Sequence, residues 1–222
     1  MLGGVLTAFW RPSKTLIALV QHLAAGIILA AVTVEVFPEM RSADIKPTVL
    51  ISSFTLGVLF MYAVKILGQY LESGGESQRL AKRQFNYGLI ITVFIDAALD
   101  GVTIGAGFAA GQKVGLALAL GLSVEMLFLG MSLISESIKG VRVIWLSAAL
   151  SFSILVSAVL AYHFFSGMPR NIIAIALAFS ASALLYLVTE ELLIEAHQHK
   201  EQSYSMLVLF AGFIGFWLIS LL

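Results

Sequence analysis

Two aspartates lie inside residues 87–110, a stretch that is otherwise composed almost entirely of apolar side chains. Asp96 and Asp100 are four residues apart, so in a helix they share one face, with about 5–6 Å between their Cβ atoms. A carboxylate at the centre of a bilayer costs about 2.5–3.5 kcal/mol, and like charges at this spacing repel each other. The pair therefore predicts a compensating partner, and a bound cation is the most direct one.

Composition places this stretch, and the rest of the chain, in a membrane. Of the 222 residues, 59% are hydrophobic and 12% are charged, whereas a soluble domain has about 25% charged residues. The chain has no cysteine, which excludes disulfides and thiolate metal ligands. Its net charge is zero and it has no basic run, so nothing indicates a nucleic-acid partner. We expect an integral, multi-pass protein surrounded by the lipid bilayer.

Apolar stretches with the length of a membrane-spanning helix recur along the chain, separated by short polar joints. A further apolar segment, 2–10, precedes them and is too short to span. The pattern predicts an all-α integral membrane protein with a single transmembrane domain, residues 1–222, and eight helices of which the first is short or truncated. The seven full spans are placed at 15–37, 48–70, 85–110, 113–136, 142–165, 171–197 and 203–222.

Lysine and arginine are divided unequally between the two ends of these spans. Eight lie on the side that carries the 71–84 joint and four lie on the other side, which together with Lys65 inside a span accounts for all 13. Cytoplasmic loops of membrane proteins are enriched in Lys and Arg. We therefore expect the 71–84 joint in the cytoplasm and the C-terminus outside, with a bacterial inner (plasma) membrane as the location.

Acids inside the predicted spans greatly outnumber bases. Lys65 is the one base in a span, and its place near the end of that span lets its side chain reach the interface. The acids are therefore either protonated, because burial disfavours the charged form, or they share a bound metal ion. We favour the metal, because several carboxylates lie at similar depth. The acids within the spans are Glu35, Asp96, Asp100, Glu125, Glu190, Glu191 and Glu195.

The fourth and fifth helices, counted from segment 2–10, show the same local pattern. Residues 96–101 and 125–130 each begin with an acid that lies five residues before a glycine, and related segments that meet near the midplane are typical of transporters. The small-residue steps Gly101–Gly105 and Gly107–Gly111 permit close helix packing. We expect them to bring Glu125 close to the two aspartates.

A polar stripe runs toward the cytoplasmic end of the span at 171–197. Glu191, Glu195 and His199 are spaced by four residues and share one helix face. For His199, a solvated helix end is the simpler interpretation. These three residues, with Glu190 beside them and Glu35 at the outer end of span 15–37, are the predicted lining of an ion pathway.

Three stretches resemble motifs of the Zrt/Irt-like (ZIP) family of divalent-metal transporters, and the resemblance covers nearly the whole chain. Residues 23–39, which end in Phe-Pro-Glu, resemble that family's glycine-rich helix ending in Leu-Pro-Glu. Residues 96–105 resemble its fourth-helix signature, His-Asn-x-Pro-Glu-Gly. Residues 184–197 resemble its seventh-helix block, in which a metal-binding Glu precedes a Pro-Glu pair.

The resemblance implies a ZIP-like bundle of eight helices, with metal bound between the fourth and fifth helices. It also implies alternating access by movement of one helix group against another. Hydrocarbon side chains replace several motif residues, at Ala97, Leu99, Met126, Phe128 and Leu129. The carboxylates that remain are enough for one metal. Position by position, the implied metal ligands are Asp96, Asp100, Glu125 and Glu191.

The predicted function is transport of a divalent cation (Zn²⁺, Fe²⁺, Mn²⁺ or Cd²⁺), with no enzymatic activity and no resident cofactor. Oxygen-only ligands favour the harder ions, such as Mn²⁺ and Fe²⁺. A second hypothesis is a ZIP-like protein that has lost metal flux and acts as a proton carrier or a metal-sensing membrane partner. A third, an intramembrane hydrolase, is disfavoured because the chain has no His-Glu-x-x-His and both aspartates share one helix. A homodimer is compatible with all three.

Overall fold

The computed structural model describes residues 13–73, 87–136, 141–193 and 204–221. Within these ranges the chain is helical and forms no strand. The elements in chain order are α1 (Lys14–Ala30), a first π segment (Ala31–Val36), α2 (Phe37–Ser42), α3 (Pro47–Ser73), α4 (Tyr87–Ala110), α5 (Gln112–Glu136), α6 (Val141–Phe165), α7 (Arg170–Leu187), a second π segment (Val188–Leu192) and α8 (Ser205–Leu221).

These helices follow the predicted spans. In the described part of the chain, each of the seven full spans coincides with a helical stretch. Segment 2–10, expected to form a short first helix, lies outside the described residues. The architecture is that of a multi-pass helical membrane protein. Five stretches are long and apolar enough to cross a bilayer, namely Thr15–Ser42, Pro47–Tyr70, Ile90–Ala110, Trp145–Phe165 and Arg170–Glu190.

We name the two ends of the bundle after one charged residue each. The Glu39 end contains α2, the start of α3 and the turn between α4 and α5. The Lys65 end contains the last turns of α3 and the second π segment. Because consecutive helices alternate in direction, α1 runs toward the Glu39 end and α7 runs away from it.

The helices α1 and α7 lie at the centre of the bundle. In both, 61% of the most apolar window is buried, compared with 11% in α6. Most of their buried apolar residues belong to one cluster and are small or aliphatic, as at Ala25, Ile28, Leu177 and Ala181. The helices α3, α6 and α8 turn large apolar side chains outward, which is the surface that lipid tails can cover.

Close packing at glycine connects α4 to two neighbours. A Cβ at Gly101 would collide with the carbonyl of Ile154, and a Cβ at Gly105 would collide with that of Ala158, both in α6. The expectation that the Gly101–Gly105 step brings α5 to α4 is therefore wrong, because this step packs on α6. The close approach of α5 occurs at Gly107, where a Cβ would run into the first turns of α5.

The two central helices carry one sequence pattern at their π segments. Residues 32–39 read Val-Thr-Val-Glu-Val-Phe-Pro-Glu, and residues 188–195 read Val-Thr-Glu-Glu-Leu-Leu-Ile-Glu. The same four residues, Val, Thr, Glu and Glu, stand at equivalent positions that are 156 places apart in the chain. Both π segments begin at or next to the valine of this pattern.

The two threonines of the pattern make the same hydrogen bond. The Thr33 hydroxyl donates to Leu29 O at 2.7 Å, and the Thr189 hydroxyl donates to Leu185 O at 2.9 Å. Such a bond from a side chain to the preceding turn perturbs the helical ladder. The sequence pattern and the π geometry therefore recur together.

Each central helix also contacts its main neighbour in the same way. The helix α1 packs against α8, and α7 packs against α3. A Cβ on Gly212 of α8 would lie 2.5 Å from Leu23 O, and a Cβ on Gly57 of α3 would lie 2.5 Å from Phe179 O. Leu23 and Phe179 are again 156 positions apart. Since α1 and α7 run in opposite directions, the pairs α1–α8 and α7–α3 form an inverted repeat.

Candidate metal site

Three buried carboxylates meet at the interface of α4 and α5. Asp96, Asp100 and Glu125 each bring one carboxylate oxygen to within 4.8 Å of the other two. Their exposed fractions are 8%, 3% and 1%. Two oxygens that bind one ion at about 2.4 Å lie at most about 4.8 Å apart, so the separations among the three oxygens stay within the limit for sharing a single divalent cation. We call these residues the carboxylate triad.

The tight turn between α4 and α5 sets the depth of the triad. Gly111 alone separates the two helices. Asp100 and Asp96 lie 11 and 15 positions before Gly111, and Glu125 lies 14 positions after it. In two antiparallel helices that leave one turn, equal numbers of residues give equal depth. Glu125 therefore lies at a depth between those of the two aspartates.

Apolar residues close to the triad along α4 and α5 are buried. Ala97, next to Asp96, is fully buried, and Leu122, three residues before Glu125, is 2% exposed. In such an interior the effective dielectric constant is about 4–20, so that charges interact more strongly than in water. Three ionised carboxylates at this separation repel one another, and a divalent cation would remove that repulsion. Carboxylate oxygens are the ligands that Mg²⁺, Ca²⁺ and Mn²⁺ prefer.

Glu190, predicted to line the pathway, lies in the second π segment and forms an ion pair with Lys65 of α3. Lys65 was expected to reach the membrane interface from the end of its span. Both side chains are about one-third exposed, so the pair is accessible to solvent or lipid headgroups at the Lys65 end. π-Helical turns within α-helices occur frequently at functional sites.

Glu35 occupies the equivalent region at the opposite end of the bundle. Its carboxylate accepts a hydrogen bond of 2.6 Å from the Ser220 hydroxyl of α8. Ser220 lies eight residues after Gly212, just as Lys65 lies eight residues after Gly57. In each half of the inverted repeat, a glutamate of the π segment is thus bound by a donor from the neighbouring helix.

The remaining predicted residues are less fully described. Glu191 lies in the second π segment, beside Glu190 and distant in sequence from the triad, and its backbone alone is described. Glu195 and His199 lie outside the described residues. Their roles as a metal ligand and as pathway residues stay predictions.

A cavity of about 240 Å³ opens at the Glu39 end. It is lined by Glu39 of α2, Ala110 of α4, Arg170 and Leu177 of α7, and residues of the turn before α7. Along α4, ten residues separate Ala110 from Asp100, which is about 15 Å of helix. The cavity therefore lies on the side of the triad from which an ion at the Glu39 end would approach.

One polar residue of the core was not selected from the sequence. Gln21 of α1 is 0% exposed, and neither Nε2 nor Oε1 of its amide has a hydrogen-bond partner among the described residues. Leaving a buried amide unsatisfied costs about 1–3 kcal/mol. The signal in the sequence was a lone amide in an apolar helix. His22 beside it is a hydrogen-bonded packing residue, since its Nδ1 lies 2.8 Å from Ala18 O.

A scan of the chain against protein-family models and a search of curated proteins found no match. The resemblance to the ZIP family therefore rests on the residues of the three stretches described above. The geometry of the carboxylate triad stands independently of that resemblance.

Proposed function

We propose that this protein transports a divalent metal cation across the membrane and binds it at the carboxylate triad. The observation that supports this most directly is the convergence of three buried carboxylates, from two helices, within 4.8 Å. Intramembrane acids are rare and are generally functional, because burying them in hydrocarbon is unfavourable. A cation that moves through the bundle needs such a site near mid-depth.

The transport cycle follows from the positions of the charged groups. A hydrated cation is attracted to the cavity that contains Glu39, loses water and binds Asp96, Asp100 and Glu125. Binding removes the repulsion between the carboxylates and favours a closed state around the ion. Opening toward the Lys65 end then releases the ion past Glu190 and Glu191. The ion must bind strongly enough to enter and weakly enough to leave.

The finer features of this proposal come from the resemblance to the ZIP family. They comprise membership of that family, an eight-helix bundle, alternating access and Glu191 as a further ligand. The charge distribution adds a cytoplasmic Lys65 end and an external C-terminus, and the resemblance to a prokaryotic-type member adds a bacterial inner membrane. All-oxygen ligands place Mn²⁺ and Fe²⁺ ahead of Zn²⁺ and Cd²⁺ as the transported ion.

The substitution Asp100→Asn tests the proposal. It keeps the size of a triad residue and removes its charge, so we expect Mn²⁺ uptake into proteoliposomes to be abolished while the protein stays folded. Asp44→Asn is the matched control, because Asp44 is exposed in the connection between α2 and α3. Uptake by Asp100→Asn equal to that of the wild type would remove the triad from the pathway.

The alternative is a metal-sensing or proton-carrying protein without metal flux. The observation that favours it is that Ala97, a motif position next to the triad, is fully buried hydrocarbon. Calorimetry on the detergent-solubilised protein separates the two functions. Tight Mn²⁺ binding with no flux in liposomes supports the alternative, whereas binding with flux supports transport.

A further inference from the structure

Gln21 is a polar side chain that the packing of the bundle does not require. Its amide is fully buried and makes no hydrogen bond with the described residues. The inverted repeat shows what packing alone accepts at this position. Gln21 corresponds to Leu177, 156 positions later, and Leu177 is also fully buried. Leucine packs at this position in one half of the repeat. The unsatisfied amide in the other half therefore indicates a role other than packing.

Helix register places Gln21 close to the triad. Ile28 of α1 contacts Gly121 of α5, since a Cβ on Gly121 would lie 3.5 Å from the Ile28 side chain. Gln21 precedes Ile28 by two turns and lies on the same face of α1. Glu125 follows Gly121 by about one turn on the same face of α5. Both residues therefore lie at the α1–α5 interface, on the Lys65 side of the Ile28–Gly121 contact.

The same register separates Gln21 from the triad along the bundle axis. With a rise of 1.5 Å per residue, Gln21 lies about 10 Å and Glu125 about 6 Å from the Ile28–Gly121 contact. Side chains lean toward the N-terminus of their own helix. Gln21 therefore leans toward the Lys65 end, whereas Glu125 leans toward the Glu39 end. Gln21 is a buried polar group on the Lys65 side of the triad, and the second π segment also packs against α1.

We propose that Gln21 is a second binding position for the transported ion, whose amide oxygen receives the partly dehydrated divalent cation as it leaves the carboxylate triad. This inference rests on the proposed function. Side-chain amide oxygens are established ligands of hard divalent cations. A neutral ligand binds the ion less strongly than three carboxylates do. It therefore lowers the barrier to leaving the triad without becoming a second tight binding site.

The substitution Gln21→Leu tests this role, because the repeat shows that leucine packs at the equivalent position. Removing the unsatisfied amide should raise the melting temperature of the metal-free protein. The equilibrium Kd for Mn²⁺ at the triad should stay within about twofold of wild type, while the rate of Mn²⁺ uptake falls by about tenfold or more. Release of Mn²⁺ from detergent-solubilised protein into excess chelator should slow in parallel.

Two further variants separate a binding role from a structural one. Leu209→Met, a conservative change at a buried position of α8 that packs beside α1, should leave uptake and release at wild-type rates. Gln21→Glu retains an oxygen ligand and should restore binding in this region, with tighter Mn²⁺ affinity than Gln21→Leu.

The possible outcomes have distinct meanings. Uptake and release by Gln21→Leu at wild-type rates would overturn the inference, even if Asp100→Asn abolishes uptake and the proposed function stands. A rise in Kd that matches the fall in uptake would also overturn it, because Gln21 would then belong to the triad site. If the wild type binds Mn²⁺ without flux, the proposed function fails. The chelator experiment then decides alone, because it shows whether Gln21→Leu releases Mn²⁺ more slowly than the wild type or at the same rate.

Discussion

At the scale of single residues, the triad brings together three buried acids that repel one another when they are ionised. Asp100 and Glu125 are at least 97% buried, so solvent screens such repulsion only weakly. A cation bound at the triad, as we propose, would offset this repulsion. The proposed function therefore predicts a link between metal binding and stability.

The substitution Glu125→Gln should separate these two effects. It removes one charge of the triad, so the metal-free variant should melt at a higher temperature than the metal-free wild type. The shift in melting temperature on adding Mn²⁺ should be largely lost, because one charged ligand is missing. Thermal unfolding in detergent, with and without Mn²⁺, measures both. An undiminished Mn²⁺ shift would show that the metal binds elsewhere.

At the scale of helices, the bundle is organised by pairs that approach at small residues. The helix α4 packs on α6 through Gly101 and Gly105, and α1 packs on α8 through Gly26 and Gly212. Close packing of this kind drives helix association in lipid, where the hydrophobic effect does not distinguish one apolar face from another. The glycines thereby select which helices become neighbours.

The substitution Gly101→Ala tests this dependence. A Cβ there would collide with the backbone of α6 near Ile154 and Ala158, so we expect destabilisation by about 1–3 kcal/mol. Gly215→Ala in α8 is the matched control, since no atom lies within 4 Å of a Cβ at that position. The control should be neutral or stabilised by up to about 1 kcal/mol, because alanine favours the helix. Equal unfolding free energies for the two variants would contradict the packing seen here.

At the scale of the whole molecule, the inverted repeat packs against the two helices that carry the triad, with α1 on α5 and with α3 and α7 on α4. Each pair contains a π segment whose glutamate is bound by the neighbouring helix, Glu35 by Ser220 and Glu190 by Lys65. The donor is neutral at the Glu39 end and positively charged at the Lys65 end. The two ends of a nearly symmetric bundle therefore present different electrostatic environments to a cation.

Metal binding should stabilise the entire bundle in a pH-dependent way. A ligand that binds the folded state at one hundred times its Kd stabilises it by about 2.7 kcal/mol. Because protons compete with Mn²⁺ for the carboxylates, this stabilisation should decrease as the pH falls. Melting temperatures measured over a series of pH values, with Mn²⁺ and with a chelator, test the linkage. A metal-induced shift that grows toward low pH would exclude carboxylate ligands.

The sequence by itself determined the properties that depend on local chemistry. Seven apolar stretches specified the helices, because backbone groups in hydrocarbon must be satisfied within a helix. The spacing of Asp96 and Asp100 specified a shared face. The tertiary structure alone decided which helices become neighbours, since many apolar faces are nearly equivalent in lipid. Its single-residue turn at Gly111 set the depth of Glu125. It assigned Gly101 to α6, joined Lys65 to Glu190, buried Gln21 with no hydrogen-bond partner among the described residues and revealed the inverted repeat.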